Sequence, residues 1–358
     1  MTRRTRWFLV GSALIVVVGL CTGLVAYYNG GLSLLGPGPG PAELAYVPET
    51  ATIVAYANVG EIMKSDLRKR LQAVLPAGQG KNQLQSEIGV DLEHDIDTVV
   101  AGFGIAATPE TTGAPETTAN DTPETTKTSP GQNAVERTVV LIRGRFDQPR
   151  IEGVLKEHGG TVEDYKGKHL LEEGTGSPMS QMGHLPGAVA FLEPGLIALG
   201  SVQAVREAID TRSDGKSVRK NAEVMKFVAS LDPASNAWVT GRLDAVTKNA
   251  NVPAVAKERL AAVQWFSVSA RVDGGVSGVV RAEARDDQSG EDLRSVVRGG
   301  LAAARLMGGQ NAKLDVAINS LQLSGSGRDL ALSFTLPPDL LDMANGIAGL
   351  RNLASGKH

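Results

Sequence analysis

Apolar and polar positions alternate or recur along this chain in a way that marks out most of its elements. The first block is unbroken: Trp7 to Tyr28 reads WFLVGSALIVVVGLCTGLVAYY, with Ser12 and Thr22 its polar interruptions. As a helix, 22 residues at 1.5 Å each span about 33 Å, enough for a hydrocarbon core of about 30 Å. Gly36 to Pro41 reads GPGPGP, which cannot continue a helix and predicts an extended tether over 29–45. Thr52–Asn58 is an apolar run of strand length. Ile62, Met63, Leu67, Leu71, Val74 and Leu75 then follow at helical spacing. Strands are predicted for DTVVAGFGI and for Arg137–Phe146, a helix from Gln148 to His158, and short strands for TVEDYKG, KHLLEE, AVAFLE and LIALGS. Helices near Val202–Asp210 and Ala222–Leu231 close this first stretch.

The order then recurs. Asn236–Leu243 is a strand, with helical sequence to about Val263. Alternating residues on either side of Asp273-Gly274-Gly275 predict a hairpin. SGEDLRSVVRGGLAAARLM predicts a helix capped by Ser289, with Leu293, Val296, Val297, Leu301 and Ala304 as its buried stripe. LDVAINSLQLSGSGRDLALSFTL predicts two strands around Gly325 to Gly327, and Pro337-Pro338 opens a last helix. The expected fold is therefore α+β. A single N-terminal transmembrane helix (with residues 1–28 as tail and span) precedes two duplicated units of largely antiparallel sheet, each with helices on one face. The units run over 46–234 and 235–350, with a flexible tail at 351–358, and their sheets could join. Residues 106–136 interrupt the first unit. They carry PETT three times and almost no large apolar residue, which predicts a disordered insert at a hairpin tip.

Charge sets the topology. Arg3, Arg4 and Arg6 precede the apolar block with no acidic residue among them, which places the N-terminus in the cytoplasm and the bulk of the chain outside the inner (cytoplasmic) membrane. Trp7, Tyr27 and Tyr28 stand where interfacial aromatics belong. Cleavage after Ala26 and a lipid anchor at Cys21 are the competing readings. The block is long for a signal peptide, and Leu20 is large for a lipobox. Gly19 and Gly23 have the G-x-x-x-G spacing of a helix-dimer contact, so a homodimer through them is a candidate. Past the membrane block, 33 basic residues face 39 acidic ones, a formal charge of −6. That argues against a nucleic-acid partner. Cys21 is the only cysteine, so the exported part has neither a disulfide nor thiol chemistry.

Few chemistries survive inspection. Asp91, Glu93, Asp95 and Asp97 alternate like the oxygen ligands of a calcium loop, but the glycine of the sharp turn and the distal bidentate Glu are missing. No two histidines have an i, i+4 spacing that would suit zinc. Gly102-Phe103-Gly104 runs into Pro109 rather than into a helix, and Gly215-Lys216-Ser217 lacks the upstream glycine of a phosphate loop. The loop Gly174 to Gly187, with Met179, Met182 and His184, is the candidate binding loop. No cofactor and no catalytic constellation is indicated.

The stretch VPETATIVAYANVGEIMKSDLRKRL, with GVDLEHDID and the next hairpin strands, resembles uncharacterised membrane-anchored exported proteins of environmental bacteria. The resemblance covers roughly Tyr46 to Phe146. It implies an exported α+β domain and assigns no activity or site. The expected function is a membrane-tethered extracytoplasmic binding or scaffold module with a protein or envelope partner. The alternatives are a subunit of a secretion, pilus or cell-envelope assembly complex, and a small-ligand carrier or enzyme.

Overall fold

The computed structural model describes residues 40–66, 89–91, 93–104, 138–172, 174, 187–243, 261–308 and 312–336. The apolar block Trp7–Tyr28, the PETT insert, the loop with Met179, Met182 and His184, and the last helix expected after Pro337 lie outside them. Among the described residues no helix is long and apolar enough to cross a membrane.

One antiparallel sheet organises everything else. Its strands are β1 (Ala51–Ala57), β2 (Ile96–Gly104), β3 (Thr138–Gly144), β4 (Thr161–Tyr165), β5 (Lys168–Glu172), β6 (Ala188–Glu193), β7 (Leu196–Gly200), β8 (Ala237–Arg242), β9 (Val263–Val272), β10 (Val276–Ala284), β11 (Gln322–Ser324) and β12 (Asp329–Leu336). The spatial order is β11-β12-β10-β9-β8-β1-β2-β3-β7-β6-β5-β4. The meander β1–β3 grows in one direction and β8–β10 in the other. β4 to β7 return from the far edge, so that β7 pairs with β3.

This overturns the expected architecture of two duplicated units with helices on one face. β1 pairs with β8 through Val54↔Thr240, Ala55↔Val239 and Tyr56↔Trp238, so both stretches share one ladder. Glu43 onward forms one compact unit. The helices are α1 (Val59–Lys64), α2 (Gln148–Glu157), α3 (Val202–Asp214), α4 (Ala222–Ala229), α5 (Asp287–Gly308) and α6 (Ala312–Ser320), and they cover both faces. Ile151 and Leu155 of α2 pack with Leu171, Val189, Ile197 and Leu199. Val205 and Ile209 of α3 and Phe227 and Val228 of α4 pack on the opposite face, with Val54, Val100, Leu141, Leu170 and Ala198. Strands buried on both faces read as continuous apolar runs. β7 shows it, with all five of Leu196–Gly200 buried.

Local chemistry fixes the element ends. The Asp147 carboxylate accepts from Arg150 N at 3.1 Å at the start of α2, Ser201 caps α3, and Asn221 caps α4. At Gly215, the left-handed conformation (φ 65°) that ends α3 favours glycine. This is why that glycine stands beside Lys216 and Ser217. Asp273 Oδ1 accepts from the backbone N–H groups of Gly274 and Gly275, closing the β9–β10 turn. Gly102 sits in mid-strand because a Cβ there would come within 2.6 Å of Val47.

Three local expectations need correction. Asp286, not Ser289, caps α5: its Oδ1 accepts from Ser289 N at 2.7 Å. Val296 is 53% exposed, and Leu293, Val297, Leu301 and Ala304, expected as a buried stripe, are only partly buried. Leu314 to Ser320 belongs to α6 rather than to a strand. The adjacent residues Ala317 and Ile318 are both buried, which a helix allows and a half-buried strand does not.

Candidate functional site

The acidic turn that suggested calcium is engaged with itself. Asp91 Oδ1 accepts from Glu93 N at 2.9 Å, Asp91 Oδ2 lies 2.8 Å from His94 Nδ1, and Asp95 Oδ2 accepts from Asp91 N at 2.8 Å. Asp97 lies in β2 and is exposed. Among the described residues no group of three or more His, Asp, Glu or Cys side chains is arranged to hold a metal. The carboxylates fold the turn that launches β2. His169 pairs with Glu152 at 2.8 Å and fastens β5 to α2. Burial pushes the Glu152 carboxyl up, but hydrogen bonds from Gln148 and His169 outweigh it and leave the pKa lowered. His158 Nδ1 contacts Val154 O. The ring nitrogens of His94, His158 and His169 thus meet carboxylates, a backbone carbonyl and the Gln148 amide.

Two charged clusters that the sequence reading missed stand on the face covered by α3 and α4. The first is at the sheet edge. An open groove of about 590 Å³ runs along α3, lined by Val202, Gln203, Arg206, Glu207 and Asp210. Tyr165, at the end of the outermost strand β4, donates its hydroxyl to Asp210 at 3.0 Å. Lys166 reaches the same carboxylate at 2.6 Å. The hydrogen bond to Asp210 raises the pKa of both partners, the phenol of Tyr165 and the ammonium of Lys166. Arg206 bonds Glu163, lies 3.8 Å from Glu172, and places its guanidinium 5.4 Å from the Tyr165 ring. Beside the groove, β4 is the outermost of the described strands, with Thr161 to Asp164 exposed. Glu163 and Asp164 put charge on an edge that would otherwise pair with any strand.

The second cluster straps the short 3-10 turn Ala42–Tyr46 to the sheet. Glu43 is 5% exposed and bonds Arg143 of β3, which also lies 3.6 Å from Glu193. Tyr46 donates its hydroxyl to Glu193 at 2.8 Å. Burial first, and then the Glu193 hydrogen bond and charge, push the Tyr46 phenol up to about 12.

No protein-family model matches the chain, and no curated protein matches it. A crystal structure of the treponemal protein TP0453 (crystal form I) shares 8% identity with it at TM-score 0.45, over 86% of this chain and 97% of that one. So distant a likeness carries no argument about what the molecule does.

The residues themselves say more. The groove is open, and Lys166 and Arg206 beside it each face a carboxylate, so it suits a charged surface rather than an enclosed apolar ligand. The strap holds structure: Tyr46, Glu193, Arg143 and Glu43 form one chain of hydrogen bonds and ion pairs between the start of the compact unit and β3 and β6. No linear motif could have revealed it, because Glu43 and Arg143 are 100 residues apart. Its titration has a definite sign. A phenol whose folded pKa lies above its unfolded value contributes stability that is complete below about 10 and is lost as pH rises through about 12. Alkaline unfolding should therefore steepen over that window. Tyr46→Phe should flatten the curve in part, Tyr56 being raised as well by burial. Equilibrium unfolding of both proteins as a function of pH checks this, and parallel curves would rule it out.

Proposed function

We propose that this chain is a membrane-tethered, extracytoplasmic binding or scaffold module whose partner is another protein or an envelope component. The observation that carries the reading is the block Trp7–Tyr28 with Arg3, Arg4 and Arg6 before it and a net-acidic domain after it. Two features of the folded part favour binding over catalysis. The histidines described are committed to carboxylates or backbone, and the α3 groove with the β4 edge offers an exposed, ion-paired surface at the limit of the sheet. An assembly at the membrane could use such a surface without any chemistry of its own.

The test uses the full chain and a variant lacking residues 7–28, expressed in a bacterium with an opened outer layer. The full chain should stay in the membrane pellet through alkaline carbonate washing, and protease added from outside should digest its domain. The shortened chain should remain soluble and protected inside the cell. Release of the full chain by carbonate, or protection of its domain from external protease, would remove the tether and the orientation together. A photo-crosslinking residue at Gln203 should then capture a defined partner that one at Ser277, on another part of the sheet, does not. Equal capture at both positions would remove the groove from the reading.

A further inference from the structure

On the face covered by α4, the middle of the second meander is polar where a core would be expected. Ser267 and Ser269 of β9 are 0% and 1% exposed. Neither hydroxyl has a hydrogen-bond partner. Arg281 of β10 is the direct cross-strand partner of Ser267, and its Nη1 is likewise buried and without a partner. Directly opposed residues of an antiparallel pair hold their Cβ atoms about 5 Å apart, and diagonal ones are within reach of a long side chain. Three unused donor groups therefore converge on one patch. Buried polar groups are almost always satisfied, and an orphan of this kind points to a bound water or ion.

The surroundings decide between the two. Ser267 lies between Thr240 and Arg281 across the ladder, and between Trp265 and Ser269 along the strand. Thr240 is not free to help, because its hydroxyl donates to Phe266 O at 3.0 Å. Trp238 is the cross-strand partner of Ser269 and stacks on Tyr56, while Trp265 stacks on Phe227 of α4. The two indoles thus wall the patch on the strand β8 side and at the α4 end. The charge is lopsided. Glu283, next along the same face of β10, is bonded by Lys226 at 2.8 Å and by Arg328 at 3.2 Å. With Arg281 that makes three cations to two carboxylates, Asp329 being the cross-strand partner of Glu283. Water would satisfy the hydroxyls and leave the excess positive charge. An anion satisfies both, with hydrogen bonds from a guanidinium that are stronger than neutral ones. Arg281 is itself partly exposed, which gives a small guest a way in.

We infer that Arg281, Ser267 and Ser269 form a binding site for a small oxyanion, a carboxylate or a phosphate, on the α4 face of the sheet. The guanidinium supplies the charge and the two hydroxyls supply direction. The site is separate from the α3 groove and does not depend on the proposed tether.

Calorimetric titration of the full chain in detergent micelles, with inorganic phosphate and separately with acetate at matched ionic strength, tests it. Saturable binding of one anion per chain is expected for at least one of the two probes. Arg281→Met should weaken it by about tenfold or more, since a charge-assisted hydrogen bond is lost. Arg281→Lys should weaken it less. Ser267→Ala with Ser269→Ala should also weaken it while leaving the anion-free thermal midpoint unchanged or higher, because two orphan hydroxyls are gone. This double variant decides the matter if Arg281→Met does not fold. Absence of saturable binding for both probes, or equal affinity in the wild type and the serine double variant, overturns the site and leaves an ordered water as the guest.

Discussion

Trp238→Ala should cost about 3–5 kcal/mol and should melt both ends of the sheet in one step. Trp238 is 9% exposed and stacks on Tyr56 with ring centroids 5.6 Å apart. The two residues are cross-strand partners on β8 and β1, the pair of strands at which the two meanders meet. The loss therefore falls at the seam rather than inside either meander. Phe227, Trp265 and Leu231 belong to the same buried cluster, so collapse around the missing indole would disturb α4 as well. Hydrogen exchange in urea gives the readout. Amides of β2 and β3 and amides of β9 and β10 should lose protection at the same denaturant concentration in the wild type, and together at a lower one in the variant. Two separate transitions, with β3 and β7 still protected after β9 and β10 have opened, would mean that the β1–β8 ladder does not couple the two sides.

That seam is where sequence reasoning stopped. The strands themselves were legible. Alternation around Asp273-Gly274-Gly275 marked β9 and β10, and apolar runs marked β6 and β7. The succession of hairpin and helix was legible too, since β2 and β3 lead into α2 and β9 and β10 lead into α5. Pairing was not. Alternation says which side chains share a face, but nothing in TIVAYAN names NAWVTGRL as its neighbour. Alternation does not say which side is covered: Ser267 and Ser269 alternate with Phe266 and Val268, yet both serines are buried, on the side of the strands that carries Trp238 and Trp265. A signal was present, in two indoles on the serine side of the strands, at Trp238 and Trp265. Large aromatics on a supposedly solvated face mean that something covers it. Of the acidic turn, Asp91 and Asp95 bond within the turn itself, which alternation of carboxylates does not distinguish from a ligand set. The charged groove and the strap depend on contacts between residues from 34 to 147 positions apart, which no local spacing encodes.

Arg143→Met should destabilise the fold by about 3 kcal/mol, at the lower end of the range for breaking a buried ion pair because the arginine is partly exposed. The cost arises from what is left behind. Glu43 is 5% exposed and would remain as a buried carboxylate without its directly bonded cation. Glu193 would keep Tyr46 but lose the guanidinium at 3.6 Å. The strap also carries backbone bonds, Val218 N to Val47 O at 2.8 Å and Glu49 N to Lys216 O at 3.0 Å. Loosening it should therefore lower protection at the turn after α3 as well. The complementary change separates lost charge from lost packing. Glu43→Leu combined with Arg143→Met removes both charges and keeps apolar volume, so most of the stability should return. Denaturant unfolding of the two single variants and the double closes the cycle. A large coupling energy, with the double variant more stable than Arg143→Met alone, is the expected result. A loss below about 1 kcal/mol in Arg143→Met would place the pair among surface ion pairs of little worth. The 3-10 turn would then be held by Leu44 and Val47, both fully buried, rather than by charge.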